Sequence, residues 1–148
     1  MQDATLSFKG KVNRYNEEKL KLLNKILKGK ANPKELHPTL EISGFKNGEI
    51  TISEDGTFDI ELEEYTGKFY EDKEIAEILS EIIEDGYVVM KYREESGETM
   101  WSYIILPKQV IELKYIPIPK KEIEKIEETI EEHCKQYKIV KELIKEPF

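Results

Sequence analysis

The chain holds two histidines and one cysteine, His37, His133 and Cys134, and their spacing excludes the chemistry those groups usually do. A zinc site draws its ligands from closely spaced Cys and His pairs. Here His133 and Cys134 are neighbours on an expected helix, where consecutive side chains diverge by roughly 100°. Cys134 also lies inside that helix rather than at its N-terminus, where the dipole would favour a thiolate. There is no Gly-x-Ser-x-Gly elbow for a nucleophilic serine. The glycine pair Gly44 and Gly48 lacks the rest of either nucleotide fingerprint and reads as a turn. No metal, cofactor or catalytic residue is expected, and the chain reads as a non-enzyme.

Carboxylates and aromatic rings remain. Asp59, Glu61 and Glu63 recur every second residue, which places them on one face of a strand. Glu74, Glu77 and Glu81 recur at helical spacing, on one face of a helix. Ordered rows of negative charge of this kind suit a partner with a basic surface, because complementary fields steer association. Tyr87, Trp101, Tyr103 and Tyr115 cluster in the last hairpins and offer an aromatic lining for a small, nucleotide-like ligand.

The elements that carry these residues follow from periodicity. Leu6, Phe8 and Val12 alternate with polar residues as a half-buried strand. Asn16 caps a helix whose first turn is Glu17-Glu18, whose stripe is Leu20, Leu23 and Leu27, and whose stop is Gly29. Short strands follow around Leu40 and Ile42, Ile50 and Ile52, and Phe58 to Leu62, with Asp55-Gly56 as a hairpin turn. Asp72 is placed to cap a second helix with the stripe Ile75, Ile78, Leu79 and Ile82, stopping at Gly86. Three strands, Tyr87 to Arg93, Thr99 to Leu106 and Val110 to Ile116, come next. Both faces of the strand from Met100 to Ile105 are apolar, so the sheet is expected to be covered on both sides.

From about Lys120 to Lys145 no Gly or Pro interrupts the chain. Ile123, Ile126, Ile130, His133, Tyr137, Val140 and Ile144 alternate steps of three and four, the spacing of a heptad seam. One long amphipathic helix is expected, laid across its own sheet or pairing two chains as a homodimer.

The order βαβββαβββα predicts an α+β fold. Its expected form is an antiparallel sheet of about six to seven strands, two helices packed on it and a long C-terminal helix. Residues 1–118 form the α+β sandwich domain; residues 119–148 form the helix, either part of that domain or a dimerisation arm. The start of the chain shows no secretory pattern and no apolar run approaches a membrane span, so a cytoplasmic location is expected. One cysteine allows no internal disulfide and agrees with a reducing compartment.

One stretch resembles a known group. A helix closing on Gly86, the strand Tyr87 to Arg93, the turn Ser96-Gly97-Glu98, the run Met100 to Tyr103 and a strand through Val110 to Leu113 follow one another. This is similar to the C-terminal half of small α+β proteins of bacteria and their phages, and covers about a third of the chain. The resemblance implies a fold and a milieu; that group has no known activity to carry over.

Charge completes the reading. Residues 1–40 carry a net +5 and residues 41–98 a net −13, within a total of −8. The basic start, with Lys9, Lys11, Lys21, Lys25 and Lys28, could touch phosphates, attract the acidic segment of a neighbouring subunit or simply be solvated, whereas acidic surroundings count against nucleic acid at the Trp101-Tyr103 aromatics. The expected function is therefore binding, and inhibition or neutralisation, of another macromolecule. Phage anti-defence, anti-CRISPR-like and immunity-type proteins work this way. The alternative is a ligand sensor or small enzyme built on the aromatic lining.

Overall fold

The computed structural model describes residues 4–40, 45–46, 49–61, 64–65, 72–94, 100–114 and 120–145. In chain order the elements are β1 (Ala4–Tyr15), α1 (Glu17–Leu27), a 3-10 turn (Pro33–Glu35), β2 (Phe45–Lys46), β3 (Glu49–Ile52), β4 (Phe58–Glu61), β5 (Glu64–Tyr65), α2 (Asp72–Ile82), β6 (Ile83–Glu94), β7 (Met100–Leu106), β8 (Gln109–Lys114), α3 (Lys120–His133) and α4 (Tyr137–Lys145).

The fold is α+β, and its main sheet is smaller than the sequence suggests. β1, β6, β7 and β8 form one antiparallel sheet in the order β1-β6-β7-β8, while β3-β4 and β2-β5 are separate two-stranded ribbons. Among the described residues, four of the expected strands form the main sheet and those at Ile50-Ile52 and Phe58-Ile60 form the β3-β4 ribbon, whereas β2 falls within the expected Gly44–Gly48 turn. Hydrophobic alternation identifies a strand but does not say which strand lies beside it. The ribbon β3-β4 abuts the outer edge of β1 through a Lys11–Thr57 bridge and a bond from the Val12 amide to the Gly56 carbonyl. Leu40 is buried outside any strand; Ile42 and Leu62 lie outside the described residues.

Alternation along the central strands sorts side chains to two covered faces. Leu6, Val12, Val88, Met90, Tyr92, Tyr103 and Ile105 face α1, α2 and the β3-β4 ribbon. The stripes of Leu20, Leu23, Ile26 and Leu27 and of Ile75, Ile78, Leu79 and Ile82 meet them. Tyr87, Val89, Ile104, Leu106 and Leu113 face the other way and are covered by Ile130, Cys134 and Val140. Burial on both faces explains why Tyr87-Val88-Val89-Met90 is continuously apolar. Each fully buried aliphatic side chain contributes roughly 1.5–3 kcal/mol.

α1 begins and ends as its sequence signals. Asn16 accepts a bond from the Lys19 amide at 3.1 Å, and Gly29 takes a positive φ of 73° just past the C-cap. α2 does not stop at Gly86. It passes into β6 at Ile83, and Gly86 lies within that strand at φ 120°, opposite Val12. A Cβ there would overlap the Lys11 carbonyl oxygen, so the glycine serves close strand approach at an irregular register.

The expected helix from Lys120 to Lys145 is two helices, broken at Cys134-Lys135-Gln136. Lys141 Nζ lies 3.1 Å from Glu127 Oε1, although fourteen residues along a straight helix would separate them by roughly 21 Å. The chain therefore folds back. Folding back keeps Ile130 of α3 and Val140 of α4 on the same face of the sheet. Among the described helices, none is long and apolar enough to cross a membrane.

Candidate functional site

α2 packs on β7 and β8, and its first residue meets the sheet at Tyr103. The Tyr103 hydroxyl donates to Asp72 Oδ2. Tyr103 stands opposite Glu112 in the β7-β8 register, which brings Glu112 to the same face. Glu74, two residues on from Asp72, has its Oε2 buried without a hydrogen-bond partner. Asp72, Glu74 and Glu112 thus surround one buried phenol.

Among the described residues, the structure records no ion pair to Asp72, Glu74 or Glu112. Burial raises the Asp72 carboxyl above the usual aspartate range, and Glu74 and Glu112 raise it further. The Tyr103 hydrogen bond and the Asp72 amide act in the opposite sense. Burial also holds the Tyr103 phenol far above its ordinary value, reinforced by the bond to Asp72 and the charges of Asp72, Glu112 and Glu74. Tyr103 is therefore a fixed donor over the whole working range of pH, which does not suit a proton shuttle. Crowded carboxylates with one exposed member, Glu112, can receive an ammonium or a guanidinium at that edge.

The acidic rows expected from the sequence are divided. Glu74 joins the cluster, Glu77 Oε2 lies 3.8 Å from His37 Nε2, and Glu81 is exposed on the same helix. Asp59 is exposed on β4 and accepts from Ser53 Oγ, and Glu61 is paired in register with Glu49. Glu63 lies outside the described residues. α1 packs against both β3 and α2.

The aromatic lining is not one cavity. Tyr87 belongs to the face under α3 and α4, whereas Tyr103 and Trp101 belong to the face under α1 and α2. Period-2 alternation across adjacent strands puts the sheet itself between them. Trp101 packs on Tyr92 with ring centroids 5.4 Å apart, and Tyr115 lies outside the described residues.

The C-terminal seam is used within the chain. Ile130 and Val140 are fully buried against the sheet, and Ile126, Tyr137 and Ile144 pack beside them. The side chain of Ile123 lies outside the described residues. Cys134 is buried in the same cluster, and burial chiefly raises its thiol above the ordinary value. Such a thiol is a packing group rather than a nucleophile. His133, its neighbour, is exposed. Among the described residues, no group of three or more His, Cys, Asp or Glu side chains could hold a metal ion.

The basic start is likewise split. Lys9 and Lys11 alternate with Leu6, Phe8 and Val12 and so project from the opposite side of β1 to α1, which carries exposed Lys21 and Lys25. Lys28 is 3.4 Å from Glu49.

Sequence reasoning missed Glu112 and treated Asp72 as a cap. The available signal was a lone carboxylate inside the apolar strand Val110-Ile111-Glu112-Leu113. No family model matches this chain, and no curated protein and no solved structure matches it significantly.

Proposed function

We propose that this is a non-catalytic binding protein whose α2-β8 face docks a macromolecule through that partner's lysine or arginine side chains, and so inhibits or neutralises it. One observation carries the reading: the buried Oε2 of Glu74 has no hydrogen-bond partner in the free chain, beside Asp72 and Glu112. An unmet buried acceptor costs roughly 1–3 kcal/mol, more when charged. A partner's cation beside the exposed Glu112 would offset the mutual repulsion of these carboxylates, without having to reach the enclosed Oε2 itself, and make the contact specific. Glu77 and Glu81 extend the same face along α2 and would steer encounter.

Stoichiometric anti-defence and immunity-type proteins are the class this reading fits. The cytoplasm is the proposed setting, in keeping with a buried free thiol at Cys134.

Affinity capture from the source cell tests the proposal. Wild type should retain a basic partner at low salt, and Glu77→Lys/Glu81→Lys/Glu112→Lys should lose it while remaining folded. Equal capture by the folded triple variant would overturn the reading.

A further inference from the structure

Among the described residues, β8 is an edge strand of the main sheet. It pairs with β7 on one side, and among the described residues no strand lies on the other. The turn Pro107-Lys108 closes on the pair Leu106 and Gln109. In a two-residue hairpin the closing pair is hydrogen-bonded and bonding alternates along the strand. The backbone groups of Gln109, Ile111 and Leu113 therefore face β7, and those of Val110 and Glu112 face outward. No described backbone group bonds to that outward set.

The two faces beside this edge differ. Val110 packs toward the α2 side, and the exposed Glu112 shares its side with Tyr103 and the Asp72-Glu74 cluster. Leu113 and Ile111 belong to the opposite, apolar face under α3 and α4. A strand added at this edge would set alternate side chains against carboxylates and against apolar groups.

We infer that the outer edge of β8 accepts an extended segment of the partner as a fifth strand, one that alternates basic and apolar residues. This rests on the acidic face being the docking surface and adds to it a geometry and a sequence pattern. Backbone pairing supplies affinity, and the alternating side chains supply specificity. Charge complementarity selects this occupant. A second copy would bring its own carboxylate cluster to the same edge and set negative charge against negative charge.

The test uses the full chain, amide hydrogen exchange read by NMR, and three synthetic six-residue peptides. One alternates lysine and valine, one has the same composition in two blocks, and one alternates glutamate and valine. The alternating basic peptide should slow exchange at Val110 and Glu112 by about tenfold or more, leave Ile111 and Leu113 unchanged, and bind about tenfold more tightly than the block peptide. Equal binding of the two basic peptides without slowing would overturn strand addition and leave the acidic docking face standing. No binding by either basic peptide would overturn both. Equal binding of the acidic peptide would overturn the charge selection. Slowing at Val110 and Glu112 that grows with protein concentration alone would assign the edge to a second copy and overturn the inference.

Discussion

Tyr103 of β7 donates a hydrogen bond to Asp72, the first residue of α2, tying a helix end to the sheet across 31 residues of sequence. The phenol holds its proton because burial and three nearby carboxylates all disfavour phenolate. The bond therefore persists as a donor-acceptor pair, while Asp72 carries the electrostatic cost of the site.

That cost has a pH signature. The folded carboxyl of Asp72 lies above its ordinary value of 3.8, so the folded chain binds the proton more tightly than the unfolded chain. Stability from this group falls as pH rises from the unfolded value through the folded one. Asp72→Asn keeps an acceptor for Tyr103 and removes the charge. In urea unfolding across a pH series it should be more stable than wild type at neutral pH, with the gap closing as pH approaches 3.8. A gap that widens on acidification would contradict the burial of this charge.

Asn24 of α1 acts as a strand neighbour to β3. Its side-chain nitrogen donates to the Ile50 carbonyl and its oxygen accepts from the Ile50 amide, both at 2.8 Å. Asn24→Ala should cost about 2–3 kcal/mol, since it leaves two backbone groups of a buried residue unmet. Asn24→Asp retains one acceptor and loses the donor, so it should also destabilise. Denaturant midpoints read both, and an alanine variant as stable as wild type would show that the clasp is dispensable.

Two glycines at positive φ should respond differently to alanine. At Gly86 a Cβ overlaps the Lys11 backbone, whereas at Gly29 it meets open space. Gly86→Ala should lose at least about 3 kcal/mol or fail to fold. Gly29→Ala should lose about 1 kcal/mol. Thermal unfolding of both variants checks the order.

Ile130 distinguishes packing within the chain from pairing between chains. It is fully buried in the cluster with Leu106 and Val140. Ile130→Ala should destabilise by about 2–5 kcal/mol, with the same loss at every protein concentration. A loss that shrinks as concentration rises would instead place the seam at an interface.

What was legible from the sequence was local. Asn16, Gly29 and Asp55-Gly56 announced their cap, stop and turn because each needs a particular short-range geometry. The apolar residues on both sides of β7 announced a sheet covered on both faces. Long-range choices were not legible. Alternation in the Ile50-Ile52 and Phe58-Ile60 strands does not reveal that they form a ribbon apart from the main sheet. The three-and-four step does not run through the break at Cys134-Lys135-Gln136. His133 is exposed and Cys134 is buried instead, while Ile130 before it and Val140 after it press the same sheet. The cluster was half legible: Glu74 stood in a visible row, whereas Glu112 and Asp72 join it only through the pairing of β7 with β8 and the docking of α2.

The most direct measurement takes the captured partner and follows its affinity for wild type and for Glu74→Gln from about 50 mM to about 500 mM salt. The expected result is a steep loss of wild-type affinity with salt, weaker binding by the variant at low salt, and a flatter salt dependence for it. Affinities that ignore both the salt and the Glu74 charge would contradict a docking face built on crowded carboxylates.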